Sequence, residues 1–190
     1  FYNAAAGNDF DRLLATVCTF AAADAARFVL RDRLRARAIA ERLKDREGRV
    51  YIEAGYLHLR LLKELRRRLP PEAVIRPYFL LRDVYRAAGR RAHFYGPGDR
   101  LTLALIFGQA PALERQHLLA ARSLIYNRLI YMAESAPGDD LFPDAAEEIL
   151  VIACVDRLTL TECRRLHARL RGLDSLAARR SLVGLPPPPA

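Results

Sequence analysis

Apolar residues recur at helical spacing from residue 9 to residue 46: Phe10, Leu13, Leu14, Val17, Phe20 and Ala21, then Phe28, Leu30, Leu34, Ala38, Ile39 and Leu43. Positions three and four apart share one face of a helix, so the stretch predicts amphipathic helices. Asp9 or Asp11 can cap a first helix and Asp24 a second, because a short carboxylate accepts from the unpaired amides of a first turn. The Glu-Gly-Arg stretch at 47–49 ends the periodic run. "RVYIEAG" follows, β-branched and aromatic and closed by Gly55, which predicts a short strand.

Helical spacing returns with Leu57, Leu61, Leu62, Leu65 and Leu69, until Pro70-Pro71 breaks it. "AVIRPYFLL" reads as a second extended segment in which Pro77, lacking an amide donor, suits an edge or a bulge. Strand, helix, strand is the βαβ unit, whose right-handed crossover makes the two strands parallel neighbours. "GRRAHFYGPGDR" at 89–100 is a loop. Asp99 can then cap a helix over "RLTLALIF", closed by Gly108, although that run also fits a strand.

A long helix is expected over 112–134, with Leu113, Leu118, Ala121, Leu124, Ile125 and Leu129 on one face, and "SAPGDDLFP" as the loop after it. Two more helices are expected, Asp144 to Val155 and Thr159 to Leu170, the second with Thr159 as N-cap and Glu162 at the capping-box position. The expected fold is α/β and helix-predominant: a small parallel sheet containing 49–54 and 73–80, flanking helices, and a helical C-terminal region. Residues 1–172 form one domain in this reading, with an α/β part at 9–88 and a mainly helical part at 99–172. Residues 173–190, ending in "PPPPA", form a loosely ordered tail.

The length of 190 residues suits one substantial core. No uncharged apolar run approaches the roughly 20 residues that span a bilayer, so no transmembrane segment is expected, and residues 1–30 lack the layout of a signal peptide. Cys18, Cys154 and Cys163 form no CxxC pair and read as small buried hydrophobes in a reducing cytoplasm. The net charge of +9 would favour phosphate backbones, but the basicity is nearly all arginine with acidic residues interleaved, which makes nucleic acid the less favoured partner. Oligomeric state is not legible.

Chemistry concentrates around Gly55. In parallel sheets ligands gather beyond the carboxyl ends of the strands, where Glu53 would end the first strand and His58 would open the next helix. Gly55 allows a tight turn with exposed amides that can cradle an anion. A carboxylate and an imidazole so placed can ligate a divalent metal or share acid–base work. The plainer alternative has Glu53 paired with an arginine and His58 capping or packing. His93, His117 and His167 have no second ligand at metal-binding spacing, and no G-x-S-x-G, G-x-G-x-x-G or Walker loop is present. In "LRLLKELRRRL" the leucine face is expected to cover the sheet, leaving Arg60, Lys63, Arg66 and Arg67 in solvent or against an acidic surface.

"LRDRLRARAIAERL" at 30–43 and "RVYIEAGYLH" at 49–58 together resemble the TraB, ChaN and erythromycin-esterase-like group, in its RD-x-x-x-A-x-x-I helix and its Gly-x-x-His strand end. The resemblance covers about 40 residues, and no counterpart of that group's N-terminal Gly-Glu/His-type motif stands upstream. It nominates Arg31 and Asp32 on the helix and Gly55 and His58 after the strand, and it implies a metal or catalytic site. On their own, Arg31 and Asp32 read as an exposed pair on an arginine-studded helix.

The expected function is a small-ligand or metal-binding protein, which the resemblance would make a hydrolase of that kind. Glu53 and His58 would be central, with Arg31, Asp32 and Arg76 holding an anionic group or orienting the imidazole. The alternative is a noncatalytic basic module that binds an acidic partner or nucleic acid through its arginines.

Overall fold

The computed structural model describes residues 9–87, 95–130 and 143–182. Its first element, α1 (Phe10–Leu43), is a single 34-residue helix where the capping residues suggested two. Asp9 is its N-cap and accepts from the Arg12 amide at 3.0 Å. Asp24 starts nothing: it lies mid-helix and pairs with Arg27 one turn on. A continuous apolar face outweighs one internal aspartate, because each further residue adds a backbone hydrogen bond without a new nucleus.

Seven more helices follow among the described residues: α2 (Leu59–Arg66), α3 (Arg82–Ala87), α4 (Pro97–Ile106), α5 (Leu113–Leu129), α6 (Pro143–Val155), α7 (Leu160–Leu170) and α8 (Ser175–Arg180). The C-terminal helices follow the apolar spacing closely. Thr159 and Glu162 form the expected reciprocal capping box, and Gly172 takes the left-handed φ of +83° that closes a helix. α4 begins a little earlier than expected, with Gly96 as N-cap and Pro97 at its start, so Asp99 lies inside the first turn. The stretch expected to be loose after Gly172 carries α8, capped by Asp174, with Ala178 and Arg179 buried. Residues 89–94 of the first predicted loop, nearly all of the second, His93 and the terminal proline run lie outside the described residues, while 97–100 of the first loop are helical.

The parallel sheet is not there. No strand occurs among the described residues: 49–54 and 73–79 carry no regular secondary structure, and Leu80 lies in a turn. Tyr51 is 81% exposed and Val74 78%, which no buried parallel strand would show. The reason lies in how α2 packs. Leu61 and Leu65, the face expected to cover a sheet, bury against Ala36 of α1, with Ile39 and Leu69 alongside.

α1 and α2 touch in the same order along both helices, Asp32 with His58 first, then Ala36 with Leu61 and Leu65. They therefore run parallel. Parallel neighbours need a return connection: from Leu43 back to the level of Asp32 is about 17 Å at about 1.5 Å per residue. Residues 49–55 lie within that return, which is why they form no ladder.

α1 is the spine of the molecule. Its first turns, Phe10, Leu13, Leu14 and Val17, join Leu124, Ile125 and Leu129 of α5, Val151 and Val155 of α6, and Cys163 and Leu170 of α7 in the main core. Its middle, Ala25 and Phe28, packs on Leu103 and Ile106 of α4. By length and composition α1 could cross a membrane, a point the sequence reading excluded. Core helices and leader sequences pass the same test, and 28% of its most apolar 18-residue window is buried in this fold.

A candidate acid–base site between two parallel helices

Helical periodicity places Phe28, Asp32 and Arg35 on successive turns of one face of α1, and parallel packing brings the start of α2 against that face. His58 is the N-cap residue of α2, but its side chain makes no capping bond. The ring turns towards α1. Its Nδ1 lies 2.5 Å from Asp32 Oδ1, its Nε2 3.1 Å from an Arg35 guanidinium nitrogen, and its plane sits tilted over Phe28 with centroids 4.9 Å apart.

A guanidinium only donates, so Nε2 accepts from Arg35 and the ring proton sits on Nδ1, donated to Asp32. Asp32 is fully buried, and the His58 side chain is 10% exposed. The second carboxylate oxygen of Asp32, Oδ2, is buried with no hydrogen-bond partner among the described residues. The constellation therefore has a carboxylate orienting an imidazole, a basic Nε2 facing an exposed cation, and one acceptor left over.

Of the residues nominated from the sequence, Asp32, Gly55 and His58 come together. Gly55 accepts the His58 amide in the turn that leads into α2, at 2.9 Å, and a Cβ there would stand 3.6 Å from the imidazole Cδ2. That is ordinary contact, and the φ of Gly55 is not left-handed, so neither the ring nor the turn requires the glycine expected here. The exposed-pair reading of Arg31–Asp32 holds for Arg31, which is exposed, and fails for Asp32. Glu53 is exposed on the return segment, and Arg76 on the irregular stretch after α2. Neither makes a hydrogen bond or ion pair with a described residue, and the carboxylate that reaches His58 is Asp32 rather than Glu53.

Arg35 was missed. Its signal was available: it stands three residues after Asp32, on the same helix face, inside the stretch that carries the resemblance.

A divalent metal held by Glu53 and His58 does not fit this geometry. Both ring nitrogens face other groups, and one of those groups is a cation. Among the described residues no three His, Cys, Asp or Glu side chains stand where they could share a metal.

A second polar group lies towards the N-terminus of α4. The Tyr56 hydroxyl donates to Asp99 at 2.9 Å, the Tyr126 hydroxyl donates to Glu148 at 3.1 Å, and the Tyr56 and Tyr95 rings stack. Burial raises both carboxyl groups above their ordinary values, partly offset by the tyrosine hydrogen bonds. Burial likewise raises all three thiols, Cys163 to about 11, so none is an activated nucleophile at neutral pH.

Comparison with known proteins adds a relative rather than an activity. The chain is 33% identical over 163 residues, 85% of its length, to an Archaeoglobus fulgidus protein described as "Uncharacterized protein". It spans about half, 54%, of that relative's length. No protein-family model and no solved structure matches the chain.

Proposed function

We propose that this chain binds a small anionic ligand over the Asp32–His58 pair and uses His58 as its acid–base group, in a hydrolytic reaction of the kind the TraB/ChaN resemblance suggests. The observation that carries the reading is the fully buried Asp32 holding the imidazole by Nδ1, which leaves the basic Nε2 turned to Arg35. A carboxylate that fixes the tautomer and stabilises the imidazolium formed on proton uptake is what a histidine general base requires.

Arg35 occupies the place where negative charge would develop. It is exposed, so an incoming carboxylate, phosphate or ester oxygen can take its guanidinium and leave Nε2 free for the attacking water. Glu53, Arg31 and Arg76 stay outside this constellation. No step is routed through a metal: Nε2 faces the Arg35 cation, and among the described residues no set of further ligands stands beside it.

The test is turnover on a panel of chromogenic carboxylic and phosphate esters. The reading expects hydrolysis that drops by about 10²–10⁴-fold on His58→Ala, a substantial loss on Asp32→Asn, and turnover that survives dialysis against a chelator. No hydrolysis of any ester, or hydrolysis indifferent to His58→Ala, contradicts it.

A further inference from the structure

The opposite end of the α1–α2 pair holds a half-open cleft of about 460 Å³, between the last two turns of α1 and the corner at Pro70. Arg37 and Lys44 of α1 face Arg67 and Arg68 across it, over an apolar floor that includes Leu69 and Pro70. Cations are expected near helix C-termini, where they offset the macrodipole, so the question is whether any positive charge is left over. Lys44 is paired with Glu41 at 2.8 Å. Arg67 and Arg68 share the buried Glu64 only loosely, at 4.0 and 3.6 Å, together with Arg60 at 3.4 Å. Arg37 makes no hydrogen bond or ion pair with a described residue.

Four side-chain cations thus stand against two carboxylates and two helix ends worth about half a charge each. The cleft keeps a net positive charge, and its guanidinium donors are largely unspent. Glu64 adds a second property: buried beneath the arginines, it holds Arg67 and Arg68 near the rim without consuming their hydrogen bonds.

We propose that this cleft is a binding site for a phosphorylated small molecule. Arg37, Arg67 and Arg68 would take the phosphate oxygens in charge-assisted bonds, and the apolar floor would carry the organic part. The volume lies within the range of small-ligand pockets, about 300–1,000 Å³. Partial enclosure favours a single headgroup over a nucleic-acid backbone, which asks for an extended basic track. The cleft lies about one α2 length, roughly 12 Å, from His58 and is a separate site.

Titration calorimetry with inorganic pyrophosphate tests the assignment. The full chain should bind saturably, with a component that Arg37→Ala and Arg67→Ala each weaken by about tenfold or more and that His58→Ala leaves unchanged. Both arginines are exposed, so circular dichroism should show intact helices in each variant. Absence of saturable pyrophosphate binding overturns the proposal, as does affinity unchanged in both arginine variants. So does loss of binding on His58→Ala, which would move the anion to the acid–base site. Binding of a single-stranded oligonucleotide that pyrophosphate cannot displace would assign the arginines to nucleic acid instead.

Discussion

Asp32 is a fully buried carboxylate, costly to bury and dependent on its partner. A carboxylate with no exposure retains its place only where a donor satisfies it, and His58 Nδ1 is that donor. Asp32→Ala should therefore lower the free energy of unfolding by about 1–3 kcal/mol by stranding the imidazole proton. Glu53→Ala should stay within about 0.5 kcal/mol, as expected of an exposed residue with no hydrogen bond or ion pair to a described residue. Urea melts of the two variants against the parent check this, and equal effects would contradict the assignment of the carboxylate.

The site was half legible at this scale. His58 and Gly55 stood out in the sequence, but Glu53, five residues away, was the conspicuous carboxylate, while the residue that pairs is 26 positions upstream. Only tertiary packing distinguishes the two. The helix motif of the resemblance pointed to Asp32, and the three-residue step to Arg35 went unused.

Among the elements, those fixed by local physics match their sequence signals, and those needing a distant partner do not. The spacing of Leu124, Ile125 and Leu129, the Thr159–Glu162 box and the glycine stop at 172 each act within a turn or two: α7 appears where expected, and α5 starts where expected but ends at Leu129, with Ile130 extended, short of the expected 134. β-branched and aromatic residues at 50–52 prescribe only an extended backbone. Whether that backbone becomes a strand depends on a neighbour, and here α1 takes the leucine face of α2 that a sheet would need.

Two predictions belong to this level. The amides of residues 50–54 should exchange with solvent without protection while those of α1 and α5 exchange slowly; protection at 50–54 comparable to the helices would show a ladder after all. Ala36→Leu, at a fully buried contact between parallel helices, should cost about 1–3 kcal/mol through overpacking, read by the shift of a denaturant midpoint. A neutral effect would mean that α2 is not seated there.

For the whole molecule, charge sets the response to pH. Asp99 and Glu148 have raised pKa values from burial, with Asp24 adding repulsion at Asp99 and Asp99 at Glu148. A group with a raised folded-state pKa contributes stability that is complete below its unfolded value and lost as pH rises through the folded one. Both carboxylates therefore favour the fold in mild acid. Asp99→Asn should flatten the loss of stability as pH rises above the ordinary aspartate range near about 4, relative to the parent, in urea melts taken at successive pH values. Parallel curves would show that Asp99 is not held in its acidic form.

The same view gives the α1–α2 pair its place: the spine helix anchors the core at one end and, at the other, lies parallel to a short helix that brings an imidazole to it. That placement is most directly tested by nitrogen-resolved NMR of the His58 ring. The account predicts a proton on Nδ1, strongly deshielded and shifted by Asp32→Asn, with Nε2 carrying the lone pair and responding to Arg35→Ala. A ring protonated at Nε2 alone, with both nitrogens indifferent to Asp32→Asn, would contradict it.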